Sequence, residues 1–227
     1  MNIITFIIPT IGRETLNRSI ESILNQTIEN WNAIIIFDGI KSNIDINYIN
    51  DKRIKIIEIE KKGLYINCAG DVRNEGIKYA KTTWIAFLDD DDTISHNYIE
   101  TFYKELELNP YLDVLIFRMI INGRVIPKLE TNNFYLNDVG ISFIMKLSIH
   151  SSGTIFIPDG SEDFLYLDKI RKEGYKIVIS PYIKYFVRNE PFFTNIIGNR
   201  TIINSNFIIF INYIYLFSFI SLINHTE

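Results

Sequence analysis

The feature that most limits the fold of this chain is the alternation, over its first half, of short apolar runs with stretches whose apolar residues recur at helical spacing. A short apolar run bounded by turn residues reads as a strand covered on both faces, whereas a spacing of three to four reads as a helix with one buried stripe. Residues 3–8 (IITFII) form such a run, and after the loop PTIGR the positions Leu16, Ile20, Ile23 and Leu24 share one helical face. A second run, residues 33–37, ends at Asp38-Gly39. Residues 53–60 read as a third strand whose apolar phase flips between Ile56 and Ile57, which predicts a bulge or two buried faces. A short helix is expected over 69–80, a strand over 84–88, and a helix over 95–108 with Tyr98, Ile99, Phe102 and Leu106 inward and Asn109-Pro110 as its stop. Strand and helix in this rhythm imply an α/β fold, a mostly parallel sheet flanked by helices.

The second half changes character. Asn122-Gly123 between two apolar runs is a hairpin-turn signal. A helix is expected over 137–146 and a strand over 153–157. In GSEDFLYLDKIRKEGYKIVIS, Ser161 is placed as an N-cap, Glu162 and Asp163 fall in the first helical turn, and Gly174 ends the helix before a strand over 176–179. Asp168 is expected to be solvated, and His150 to be structural.

With 227 residues, 47% hydrophobic and 22% charged, the chain can bury a core of its own. A net charge of -4 gives no general attraction to nucleic acid, so no nucleic-acid partner is expected. Cys68 is the only cysteine, which excludes an internal disulfide and a thiolate metal cluster and agrees with a reducing, cytoplasmic location. MNIITFIIPT lacks a basic leader and a cleavage signature, and reads as a first strand.

In open parallel sheets, ligands bind beyond the carboxyl ends of the strands. Three polar clusters fall at such ends: Pro9, Thr10 and Arg13; Asp38 with Gly39; and the run of aspartates at 89–92. Four adjacent carboxylates repel by about 1 kcal/mol or more per close pair near a surface, so a compensating group is expected. Mg²⁺ takes one or two carboxylates and completes its shell with water and substrate phosphates. The plainer alternative is a solvated loop whose last members complement the next helix N-terminus.

Three segments in order, ITFIIPTIGR…LNRSIESILNQTIENWNAIIIFDG, GDVRNEGIKYAKTTWIAFLDDDD and SEDFLYLDKIRKEGYKI, resemble the signature regions of family 2 glycosyltransferases with the GT-A fold. The resemblance runs to about Arg188 and implies a GT-A domain over 1–200. It also implies a nucleotide-sugar donor, UDP-linked for preference, an acceptor hydroxyl on a glycan, lipid or protein, and inversion at the anomeric carbon. Pro9 and Thr10 resemble the first-strand loop lining the base, with Arg13 near the base or phosphates. Asp38 matches the carboxylate that bonds uracil, although Phe37 stands where many members carry another aspartate, which leaves the base open. Arg73 and Asn74 resemble the family's pair between nucleotide and sheet. Asp89 and Asp91 have the Asp-x-Asp spacing for Mn²⁺ or Mg²⁺, with Asp91 the foremost metal ligand and Asp89 or Asp90 serving the ribose or a water of the metal shell, and Asp163 matches the general base. Glu162, beside it, holds Asp163 or competes for its role. Rival readings are a nucleotidyltransferase of related fold, for which PTIGRETLNRS is poor in glycine and basic residues, and a silent nucleotide-sugar or glycan binder.

Residues 207–223, FIIFINYIYLFSFISLI, are apolar enough to form a separate tail over 201–227. As a helix they would span roughly 25 Å, marginal against a hydrocarbon core of about 30 Å, so they could cross a membrane, lie on its surface, or pack against the domain or another subunit, and their β-branched content also permits buried strands. The resemblance, to a family with many members acting on lipid-linked or membrane-proximal acceptors, implies membrane association.

Overall fold

The computed structural model describes residues 4–42, 50–62 and 69–189; the apolar tail lies outside them. The described strands, β1 (Ile4–Thr10), β2 (Trp31–Asp38), β3 (Ile54–Ile59), β4 (Trp84–Phe87), β5 (Thr93–Ile94), β6 (Val114–Ile121), β7 (Arg124–Ile126), β8 (Phe143–Lys146) and β9 (Ile177–Phe186), form one sheet in the order β3-β2-β1-β4-β8-β6-β9-β5, with β7 pairing to β6. Strands β1 (Ile4–Thr10), β2 (Trp31–Asp38), β3 (Ile54–Ile59) and β4 (Trp84–Phe87) are mutually parallel, as the apolar runs predict. Alternate residues of β1 face opposite helical layers, which is why the run is apolar throughout rather than alternating. Phe6 meets the ring of Tyr98 on α3 (Tyr98–Leu108), centroids 5.9 Å apart. Ile7 faces α2 (Gly70–Ile77), where Gly76 lies so close that an added Cβ would be 2.5 Å from Ile36 and 3.1 Å from Ile7. The first helix, α1 (Leu16–Leu24), buries Leu16, Ser19, Ile20 and Ile23. β3 pairs with β2 without a register shift, so Ile56 and Ile57 are half-buried on two faces and no bulge is present.

The helix expected from Ser95 begins at Tyr98, because Thr93–Ile94 form a short strand, β5, against β9 (Ile177–Phe186). β6 (Val114–Ile121) and β7 (Arg124–Ile126) are joined by Asn122 and Gly123, both at positive φ, as the hairpin signal requires.

Two expected elements take other forms. The helix over 137–146 is absent, and Phe143–Lys146 is strand β8, antiparallel to both β4 and β6. Its aromatic and β-branched residues suit a slot already flanked by strands, and tertiary pairing outweighs a weak helical spacing. The short helix α4 (Leu147–Ser151) follows, and since Lys146 lies opposite Trp84 at the start of β4, His150 sits at the end of the sheet away from the acidic run. Residues 153–157 alternate exposed and buried like a strand, yet Phe156 bonds through its N–H (3.0 Å) and C=O (2.9 Å) to the side-chain amide of Asn74 instead of a neighbouring strand. The last α-helix among the described residues, α5 (Glu162–Lys172), begins after Ser161, whose hydroxyl makes no cap bond. Asp168 lies at the surface, as expected, where it pairs with Arg171 and, at 2.6 Å, with Lys172.

Candidate active site

The clusters expected at strand ends converge along one edge of the sheet. Pro9 and Thr10 belong to β1 itself and are buried, rather than lining a loop. The β1–β4 register ends at Ile7 opposite Phe87, so the missing N–H of Pro9 removes no bond to β4. The acidic run follows β4 directly, and its four side chains point alternately outward and inward. Asp90 is inward, 4% exposed, and accepts from the Thr10 hydroxyl (2.6 Å) and Arg13 (2.8 Å). Asp92 is inward too, accepting from the Arg188 N–H at 2.8 Å; burial, reinforced by Asp89, pushes its carboxyl up to about 8. Asp89 and Asp91 are the partly exposed pair, with side chains 32% and 24% exposed. Asp91 is met by Arg13 at 3.4 Å and Arg188 at 3.6 Å.

Much of the charge compensation is therefore supplied by the protein. Arg73 serves Asp89, Arg13 serves Asp90, and Arg18 and Ser19 on α1 bond the backbone carbonyls of Asp91 (2.8 Å) and Asp92 (2.6 Å). The case for a cation consequently rests on the exposure of Asp89 and Asp91 rather than on repulsion within the run. Among the described residues no group of three or more His, Cys, Asp or Glu side chains converges as an all-protein cage. A Mg²⁺-type site of one or two carboxylates completed by substrate phosphates needs none, so the residues present fit such a group.

Across the edge, α5 brings Glu162 and Asp163 against the start of α2. Glu162 is buried and caps that helix, accepting from the N–H groups of Ala69 (3.0 Å) and Gly70 (2.8 Å) while also bonding Arg73. The approach requires glycine at 70, where a Cβ would lie 2.6 Å from Glu162 Oε2 and 2.8 Å from Phe156. Glu162 thus holds the helix and Arg73, a positioning role directed at Arg73 where the sequence suggests that it holds Asp163 or competes for its role. Asn74 is likewise tied to the Phe156 backbone.

Arg73 is the hub, only 3% exposed. It bonds Asp89 at 2.5 Å and Glu162, and lies 3.7 Å from Asp163. Burial alone would lower its pKa, but the charges of Asp89, Asp163 and Glu162 outweigh it and hold the guanidinium firmly protonated. Asp163 has no such surplus of partners, and its Oδ1 is buried without a hydrogen-bond donor. Burial, opposed by Arg73 and reinforced by Asp89 and Glu162, pushes its carboxyl up to about 7. A carboxylate near neutrality that lacks a donor is poised to take a proton at physiological pH.

Asp38 ends β2 and accepts from the Lys61 ammonium and the Lys62 N–H, both at 2.6 Å. Phe37 is fully buried and lies opposite Thr10. Sequence reasoning missed Arg18, Ser19, Tyr185 and Arg188. For Ser19 a signal existed, since it shares the apolar face of α1 with Leu16 and Ile23. Tyr185, whose hydroxyl accepts the Asp89 N–H at 3.1 Å, lies far along the chain and carries no local motif.

A family model described as Glycosyl transferase family 2 matches residues 5–163, and the chain belongs to that family. Of its relatives, UDP-Glc:alpha-D-GlcNAc-diphosphoundecaprenol beta-1,3-glucosyltransferase WfgD of Escherichia coli is 30% identical over 148 residues, covering 61% of this chain and 57% of WfgD. Poly(ribitol-phosphate) beta-N-acetylglucosaminyltransferase TarP of Staphylococcus aureus is 30% identical over 132 residues, covering 56% of this chain and 40% of TarP. The crystal structure of S. aureus TarS 1-349 in complex with UDP-GlcNAc superposes with a TM-score of 0.68 at 19% identity, over 82% of this chain and 58% of that one. That likeness shows the GT-A fold. The chain thus spans little more than half of these proteins or less. Among the described residues no helix is long and apolar enough to cross a membrane.

Proposed function

We propose that the chain transfers a sugar from a UDP-linked donor to an acceptor hydroxyl with inversion, assisted by Mn²⁺ or Mg²⁺. The observation that carries this reading is the buried guanidinium of Arg73, which touches Asp89 on one side and approaches Asp163 on the other. The carboxylates suited to the donor and the carboxylate suited to the acceptor are thereby held one side chain apart. Asp163 takes the proton of the acceptor hydroxyl as its oxygen bonds to the anomeric carbon; the bond from that carbon to the diphosphate breaks on the opposite face, and the diphosphate leaves with the electron pair. Asp89 and Asp91 would hold the cation, which when bound neutralises charge on the diphosphate. Arg13, exposed at the rim, is placed to add a donor to phosphate oxygens.

A UDP-linked donor is supported by the name of WfgD and by UDP-GlcNAc in the TarS complex. The name of WfgD also gives a lipid-linked acceptor, which with the apolar composition of 207–223 supports action at a membrane surface. A chain ending near residue 204 that binds lipid vesicles as well as the full chain does would remove that part of the proposal.

The test is release of nucleotide diphosphate from a panel of UDP-, GDP- and dTDP-sugars, with Mn²⁺ or with EDTA, for the wild type and Asp91→Ala. Release that depends on the cation, favours one UDP-sugar and is lost in Asp91→Ala is expected. UDP binding without release from any donor would favour a silent binder, and neither binding nor release would overturn the proposal.

A further inference from the structure

Asp91, one of the two aspartates suited to a cation, is ringed by three arginines from three parts of the chain. Arg18 donates to its backbone carbonyl at 2.8 Å. Arg13 Nη1 and Arg188 Nε approach the same carboxylate oxygen, Oδ2, at 3.4 and 3.6 Å, both longer than a hydrogen bond. Two of the three are engaged more closely elsewhere, Arg18 by that carbonyl and Arg13 by Asp90 at 2.8 Å. The Arg188 side chain is 71% exposed, and among the described residues it makes only the long contact with the run. Its backbone, by contrast, is fixed. Phe186 pairs with Thr93, and the Arg188 N–H donates to Asp92 Oδ1 at 2.8 Å. Held in this way, Arg188 sits at φ 52° and ψ 32°, a left-handed conformation that is costly for any residue with a Cβ and persists where the surroundings impose it. The chain thus strains its backbone to keep a movable positive charge against Asp91.

We propose, on the basis of the transferase reading above, that Arg188 is a resident counter-ion: it holds Asp91 against a free divalent cation and gives it up when a nucleoside diphosphate arrives. A guanidinium and a divalent cation drawn to one carboxylate oxygen repel each other, so Arg188 weakens the binding of the cation alone. A diphosphate offers the guanidinium oxygens that it can bond in pairs, and the exposed side chain turns to them while its backbone stays anchored. With its charge offset there, Arg188 no longer opposes a cation at Asp91. Cation and nucleotide therefore favour each other, each raising the affinity of the other by the same factor. No covalent bond changes; what is exchanged is the partner of Asp91.

The test is the dissociation constant of Mn²⁺, read from the electron paramagnetic resonance signal of the free ion, without UDP and with saturating UDP. In the wild type UDP tightens Mn²⁺ binding. In Arg188→Gln, Mn²⁺ alone binds about fivefold tighter, the factor carried by two unit charges about 4 Å apart in water, and the tightening by UDP shrinks by at least as much. Arg188→Lys keeps most of the coupling, because the charge opposes the cation with or without the fork. Arg188→Gly removes the charge and relieves the left-handed backbone, so the idea stays testable should the glutamine variant fold poorly. Thermal melting reports on integrity. Mn²⁺ affinity and coupling unchanged in the glutamine and glycine variants would overturn this inference alone, as would a wild type that binds both ligands independently. A wild type that takes up no Mn²⁺ even with UDP would overturn the cation-assisted reading and this inference with it.

Discussion

Two arginines at the same edge of the sheet hold carboxylates in opposite ways. Arg13, with 42% of its side chain exposed, meets Asp90, which also has the Thr10 hydroxyl, and the more distant Asp91. Arg73, with 3% exposed, is shared among Asp89, Glu162 and Asp163. At the first corner charges are nearly matched and Arg13 itself is open to water although Asp90 is buried, so the pair is screened from the arginine's side and contributes toward roughly 1 kcal/mol. At the second, carboxylates outnumber the cation in a confined space, and Asp163 is left short of a donor. Of these two corners, the one with the charge imbalance is where proton transfer is proposed, while the balanced one fixes the acidic run in place and leaves Arg13 facing outward.

The largest effect expected from breaking this contrast is on stability. Arg73→Ala strands three carboxylates around a buried site and should cost about 3–5 kcal/mol in denaturant unfolding, with Arg73→Lys recovering part of it because the charge returns without the fork. A loss below about 1 kcal/mol, typical of an exposed pair, would erase the distinction between the corners. Glu162→Ala comes next: it leaves the Ala69 and Gly70 N–H groups and one arm of Arg73 unsatisfied, for a loss of about 1–3 kcal/mol. The onset of α2 should then exchange amide hydrogens faster.

The pH dependence sharpens the same point. Asp163 must be ionised to act as a base and its carboxyl lies up at about 7, so kcat/KM should fall about tenfold per unit as pH drops below that value. A folded-state pKa above the unfolded value of about 3.9 also means that ionisation opposes folding. This contribution to stability is fully present below about pH 4 and is lost as pH rises through 7. A flat rate profile between pH 5 and 8 would remove Asp163 from the proton transfer. The smallest effect belongs to the balanced corner, where Arg13→Ala should change stability by less than about 1 kcal/mol, measured by thermal melting.

The sequence made the parallel half of the fold legible because strands buried on both faces read as unbroken apolar runs, and Phe6 and Ile7 facing opposite layers show why. It misled at 143–146 and 153–157 because what decides those segments lies far away: the slot between β4 and β6, and the amide of Asn74. At the site, the residues carried over from the resemblance do gather at one edge. Their division of labour was not legible. Which aspartates of the run face outward depends on Thr10 and Tyr185, and the capping role of Glu162 depends on a helix start about ninety residues away in sequence.

The account stands or falls on Asp163, and the direct measurement is turnover of the preferred UDP-sugar by Asp163→Asn alongside its UDP affinity. Asparagine keeps the shape, removes the acceptor of the proton and relieves the buried charge. The account predicts transfer reduced by about 10²–10⁴-fold with UDP affinity retained and thermal stability no lower than wild type. Transfer at the wild-type rate would contradict it.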